Sequence, residues 1–145
     1  MQIKELGHVV LYVSNLQNSA DFYKETLGFR QIHRDLHTAL FSSGRTHHEL
    51  LLIEVGGKSK ELLAPVAGLY HIGLKIGDTD DELRAAIEEL SVKGISIQGS
   101  ANHHVTHSIY IMDPDNNEIE LYIDVDEDWR ENPEKIIKPA ERLVL

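Results

Sequence analysis

The segment Leu6-Gly7-His8-Val9-Val10-Leu11-Tyr12-Val13 has a counterpart 63 residues later, Leu69-Tyr70-His71-Ile72-Gly73-Leu74-Lys75-Ile76. Both alternate. Val9, Leu11 and Val13 share one side in the first copy, and Ile72, Leu74 and Ile76 share the equivalent side in the second. A period of two with one apolar side is that of a half-buried strand. The two histidines fall at matching positions on the opposite side, so the repeat carries a polar residue as well as a hydrophobic pattern.

Each strand leads into a helix signal. Asp78-Thr79-Asp80-Asp81-Glu82 offers capping residues and first-turn acids that favour a helix N-terminus. Leu83, Ala86, Ile87 and Leu90 then recur at helical spacing. In the first half Asn15 or Ser19 can cap. Leu16, Ala20, Phe22, Tyr23 and Leu27 carry the apolar load, and Gly28 is placed to end the helix in a left-handed conformation. Three further strand-like pieces follow each helix. With a shift of 70, Thr38 to Val55 overlays Ser108 to Val125 without a gap. Asp113-Pro114-Asp115-Asn116-Asn117 supplies a tight reversal before the last strand.

The expected fold is therefore α+β. Two βαβββ modules, about residues 5–56 and 68–125, pair into one curved mixed sheet around a cavity, with helices on the outer face. Together they form one domain over residues 1–125. Gly56 to Leu69 reads as a linker, and residues 126–145, which hold two prolines and the sole Trp129, read as an arm that packs on the body or on a partner.

Composition narrows the function classes. Acidic side chains number 24 against 14 basic ones, giving a net charge of −10, which disfavours nucleic acid or an anionic membrane as the main partner. The absence of cysteine removes disulfides and thiolate metal sites. The apolar runs Val9 to Val13 and Leu50 to Ile53 are too short to cross a bilayer. The first residues lack the apolar run of a signal peptide, so a cytoplasmic location is expected. The nine histidines are the unusual feature.

On the last strand Ile119, Leu121 and Ile123 form the apolar side, leaving Glu118, Glu120 and Tyr122 on the side shared with His8 and His71. Two imidazoles and one carboxylate on a common face are the donor set of non-haem Fe(II) sites, and Mn, Zn or Ni would accept similar ligands. In the ungapped overlay Glu120 falls on Leu50, and Glu49 is one step away on the other face. The expected metal ligands are three: His8, His71 and Glu120. Lys75 shares the face of His71 and can meet an anionic substrate or solvent.

These residues resemble the vicinal oxygen chelate superfamily, which includes glyoxalase I, fosfomycin-inactivating enzymes and extradiol catechol dioxygenases. The likeness runs to about Val125. The stretch from Ser108 to Tyr122 is similar to the family's signature around its ligand glutamate, departing at Asn116 where glycine is usual. Asparagine tolerates a left-handed backbone, so the turn is expected to survive. Two features resemble extradiol dioxygenases in particular. Thr46-His47-His48-Glu49-Leu50 is similar to their paired-histidine strand, which implies an acid–base role for His48, placed on the cavity face by parity with Leu50. His103-His104-Val105-Thr106-His107 precedes Tyr110, which implies a histidine and a tyrosine contacting substrate and oxygen. His103 and His107 both remain candidates for that histidine, and His104 belongs to the same stretch.

The resemblance implies an Fe(II)-dependent ring cleavage of a small catechol-type diol, by a homodimer. The competing readings are a glyoxalase-like isomerase or lyase, a fosfomycin-type thiol transferase on the same metal site, and a protein that binds a ligand without turnover. The missing fourth ligand at Leu50 speaks against the glyoxalase, and the shortage of cavity-face cations beyond Lys75 speaks against the transferase.

Overall fold

A computed structural model of the chain describes residues 1–58 and 67–145. They form two compact units, residues 1–58 with Asp113–Asn116 in one, and residues 67–112 with 117–145 in the other. Most of the expected linker lies outside the described residues.

In the first unit, strand β1 (Val9–Val13) pairs in parallel with β4 (Leu50–Glu54), and β4 continues antiparallel to β3 (Thr38–Ser42) and then β2 (Arg30–Arg34). Helix α1 (Leu16–Asp21) begins at Asn15, whose side chain accepts from the Asn18 N–H at 2.9 Å. Ser19, the other capping candidate, is instead fully buried. The helix then widens into a π turn at Phe22–Thr26. That turn brings Phe22 and Tyr23 into the core, and the chain leaves it through Gly28 at φ 72°. Helix α1 covers the sheet face carrying Leu11, Val13, Phe41 and Leu52, all buried.

The turn Asp113–Asn116 completes this unit. The Asp115 carboxylate accepts from the Ser14 N–H at 3.1 Å and from the Ser19 hydroxyl at 3.2 Å, and Asp113 accepts from the Tyr23 hydroxyl at 2.9 Å. Asn116 adopts φ 61°, the left-handed conformation its side chain tolerates.

The second unit repeats the plan. Strand β5 (His71–Gly77) runs parallel to β8 (Glu118–Asp124), followed by β7 (Thr106–Met112) and β6 (Gly99–Asn102), both antiparallel steps. Helix α2 (Asp80–Val92) starts at Thr79, whose hydroxyl accepts from the Glu82 N–H. Glu82 reaches back to the Thr79 hydroxyl at 2.8 Å and the Asp78 N–H at 2.9 Å, a capping box. Leu83 and Leu90 are its buried residues, over a face carrying Ile109, Ile111, Ile119 and Ile123. The arm packs on this unit. Asn102 and Glu141 exchange two backbone hydrogen bonds, and Lys135 pairs with Asp126 and Asp128.

The α+β class and the two βαβββ modules are as expected. The strands hydrogen-bond as two four-stranded mixed sheets, one in each unit, rather than as one continuous sheet. Among the described residues no helix is long and apolar enough to cross a membrane.

One register differs from the ungapped overlay. Val10 pairs with Leu51 and Gly73 with Glu120, so the first-half equivalent of Glu120 is Leu51. Leu50 is 5% exposed and faces the core like Ile119. The loop before β4 is one residue longer than its counterpart before β8, and the overlay absorbed that insertion as a change of face. Leucine occupies either position, so the first half still offers no carboxylate there.

Candidate metal centre

In the second unit the strands aim a polar group away from the helix. Alternation sends His71, Gly73 and Lys75 of β5, Glu118, Glu120 and Tyr122 of β8, and Tyr110 of β7 to the side opposite Ile119 and Ile123. The parallel ladder sets His71 opposite Glu118 and Gly73 opposite Glu120. Gly73 lies beside Glu120, where an added Cβ would meet Glu120 Oε2 and the Tyr122 ring in ordinary van der Waals contact at 3.5 Å.

His71 Nε2 lies 3.2 Å from Glu120 Oε2. That is the separation of an ion pair, and it also leaves an imidazole and a carboxylate close enough that both could hold one divalent ion. The other ring nitrogen, Nδ1, is buried 3.3 Å from Glu118 Oε1, and neither atom makes a well-aligned hydrogen bond. A carboxylate behind a ligand imidazole is the usual orienting partner of a metal-bound histidine.

Tyr110 stands beside the pair. Its hydroxyl is 2.8 Å from His103 Nε2 and 3.4 Å from Glu120 Oε1. Burial, reinforced by the Glu120 carboxylate, pushes the phenol pKa up to about 12, so the group is a hydrogen-bond donor at neutral pH. These side chains open on a cavity of about 410 Å³, walled on its apolar side by Val105, Trp129 and Ile136. His103 lines it, and His107 does not. His107 shares the face of Ile109 and bonds through Nδ1 to Asp80 Oδ1 at 2.6 Å, at the start of α2. His104 contacts the Pro139 carbonyl at 2.9 Å and so holds the arm. Lys75 pairs with Asp78 and with Asp124, the latter at 2.7 Å.

The first unit gathers three histidines of its own. His8 is exposed just before β1, with its ring centroid 4.5 Å from that of His48 and 6.3 Å from that of His47. Arg45 donates to the carbonyls of Leu6 and Gly7 and pins the segment that carries His8. Glu49 closes the neighbouring loop, accepting from the Ser43 N–H at 2.6 Å and the Thr46 N–H at 2.5 Å. Burial raises the Glu49 pKa, but these bonds and those of the Ser42 and Ser43 hydroxyls outweigh it and carry the group down to about 2. Desolvation lowers the His48 pKa, and the neighbouring His47 and His8 rings lower it further.

Strand parity does not place His48. With Leu50 in the core, alternation would send His48 to the helix side. It precedes the strand and is set by the Glu49-closed loop instead. The described residues thus bring together two of the three expected ligands, His71 and Glu120, while His8 lies in the other unit. Among the described residues no group of three His, Asp or Glu side chains is arranged to hold a metal as it stands.

The sequence profile of the Glyoxalase/Bleomycin resistance protein/Dioxygenase superfamily matches residues 5–121. The chain belongs to that superfamily. Within this glyoxalase and dioxygenase group it is 34% identical over 122 residues to a catechol-2,3-dioxygenase of Bacillus subtilis (strain 168), covering 82% of the chain and 41% of that protein. It is 29% identical over 120 residues to biphenyl-2,3-diol 1,2-dioxygenase 2 of Rhodococcus globerulus, covering 83% and 63%. The chain therefore spans between two fifths and two thirds of the length of these relatives. A glyoxalase/dioxygenase structure from Nostoc punctiforme shares the superfamily fold, with a TM-score of 0.69, 18% identity, and coverage of 85% of this chain and 92% of that one.

Proposed function

We propose that the chain is an Fe(II)-dependent enzyme that cleaves the ring of a catechol-type diol, with His8, His71 and Glu120 as the metal donors. The observation that carries the reading is the 3.2 Å approach of His71 Nε2 to Glu120 Oε2 beside Tyr110, at the polar end of a cavity with an apolar wall. The two dioxygenase relatives support it, both being named for 2,3-diol substrates or positions. His8 enters through the sequence duplication, as the first-half counterpart of His71.

Ferrous iron in such a set supplies a Lewis acid for two adjacent oxygens and a path for electrons between diol and dioxygen. The protein groups then have separate tasks. Glu118 orients the His71 ring through Nδ1. Tyr110, a neutral phenol, donates a hydrogen bond where negative charge develops on oxygen. His103 shares that hydroxyl and fixes its direction. His48, with its lowered pKa, is a free base at neutral pH and takes a diol proton, returning it later in the cycle. His107 is not carried forward, because its ring is committed to Asp80 on the helix side. A homodimer is part of the same reading and is checked by sedimentation equilibrium.

The test is metal analysis of protein purified without oxygen, followed by oxygen uptake with a panel of catechols. Iron with diol-dependent uptake is the expected result. Zinc or manganese with no uptake on any diol would replace this reading with the isomerase or transferase one.

A further inference from the structure

We propose that the C-terminal arm builds an apolar subsite for an uncharged ring substituent, so that the preferred ligands are diols bearing a hydrocarbon group rather than a carboxylate or phosphonate. This rests on the diol reading for the ring itself, and it concerns residues beyond the family match, which ends at residue 121.

Three observations carry it. The apolar wall of the cavity is Val105 from the body with Trp129 and Ile136 from the arm. Its volume of about 410 Å³ leaves room beyond a bare diol ring and falls within the small-molecule range of roughly 300–1,000 Å³. The arm is fastened at three places: His104 to the Pro139 carbonyl, the Asn102–Glu141 bridge, and Lys135 to Asp126 and Asp128 at 2.7 and 2.6 Å. Trp129 and Ile136 therefore belong to a pinned segment.

Charge points the same way. Asp124 lines the cavity apart from the proposed metal donors, and among the described residues no lysine or arginine lines it. The nearby Lys75 is already shared between Asp78 and Asp124, two carboxylates for one ammonium. An anionic substituent would meet like charge without a counter-ion from the wall, whereas a hydrocarbon group meets Trp129, Ile136 and Val105. Arg130, stacked 4.6 Å over the Trp129 ring, is the rival anchor for an anion.

Trp129 is the only tryptophan in the chain, so its fluorescence reports this subsite directly. Iron-loaded protein under nitrogen is titrated with 4-tert-butylcatechol and with 3,4-dihydroxybenzoate. Metal-free protein is titrated with the matching monophenols, 4-tert-butylphenol and 4-hydroxybenzoate. The hydrocarbon ligand of each pair is expected to shift Trp129 emission and bind about tenfold tighter or better. Ile136→Lys, at a half-exposed position that accepts a lysine without unfolding, should narrow or reverse that preference. Equal or tighter binding of the carboxylates, including a preference lost in Arg130→Gln, overturns the proposal. So does a preference unchanged in Ile136→Lys, or no saturable Trp129 response to any of the four ligands. Oxygen uptake separates the two readings. Absent uptake with the preference intact rejects ring cleavage alone, and uptake without the preference rejects the arm subsite alone.

Discussion

His71 Nδ1 and Glu118 Oε1 face each other at 3.3 Å, both buried and neither holding another aligned hydrogen-bond partner. The parallel pairing of β5 with β8 enforces this meeting, since it puts the two residues opposite each other. Under the proposed metal reading, Glu118 is the carboxylate placed to hold the His71 ring with Nε2 towards Glu120. Glu118→Ala is expected to weaken divalent-metal affinity by about ten- to a hundredfold while leaving the fold intact. Chelator competition measures it, and Glu120→Ala in the same assay should abolish binding. Equal effects from the two would remove the distinction between ligand and orienting carboxylate.

His48 and His107 offer a contrast within one chemistry. His48→Ala should retain metal and lose turnover by roughly 10²–10⁴-fold, the range of a missing acid–base group. His107→Gln should keep turnover and lower the melting temperature instead, because it breaks the Asp80 contact at the start of α2. Steady-state oxygen uptake and thermal denaturation read the pair. Normal turnover in His48→Ala would dismiss the acid–base assignment.

Glu49 predicts an acid limb of stability. Its folded pKa of about 2 lies below the ordinary 4.5, so the unfolded chain binds the proton more readily. The stabilisation is fully present above about pH 4.5 and fades as pH falls towards 2. Glu49→Gln lacks this dependence. The gap in melting temperature between the native protein and Glu49→Gln should therefore shrink between pH 6 and pH 3, and a constant gap would show that the loop does not hold Glu49 in its ionised form.

Thr79→Ala should cost about 1 kcal/mol, the usual value of an N-cap hydroxyl. The loss should appear in urea denaturation, with metal affinity unchanged, since the cap lies on the helix side of the second unit.

Much of this architecture is legible in the sequence. The alternation of Val9, Leu11 and Val13, its echo 63 residues on, and the capping stretches before each helix are local signals, although the sequence leaves Asn15 level with Ser19 and Thr79 level with its acidic neighbours. His71 and Glu120 follow from the same parity because the β5–β8 ladder is in even register from His71 to Lys75. The single-residue insertion before β4 leaves no mark in the sequence, since leucine fills both registers and no polar residue signals the slip. His107 is ambiguous for a different reason. Ile109 and Ile111 set the phase of β7, and parity puts His107 on their side, opposite Tyr110, but Thr106-His107-Ser108 does not mark where the strand begins. Ile136 joins the cavity through the fastening of the arm, a tertiary event with no periodic trace in the sequence.

The Asp113–Asn116 turn has a consequence for the handling of this duplicated chain. A fragment ending at residue 58 would enclose the Tyr23 hydroxyl and the Ser19 hydroxyl without their carboxylate acceptors, a penalty of about 1–3 kcal/mol for each stranded donor. The halves are similar in plan yet not interchangeable parts. A first-half fragment is therefore expected to need residues 113–116 supplied from a second piece before its buried hydroxyls regain their acceptors.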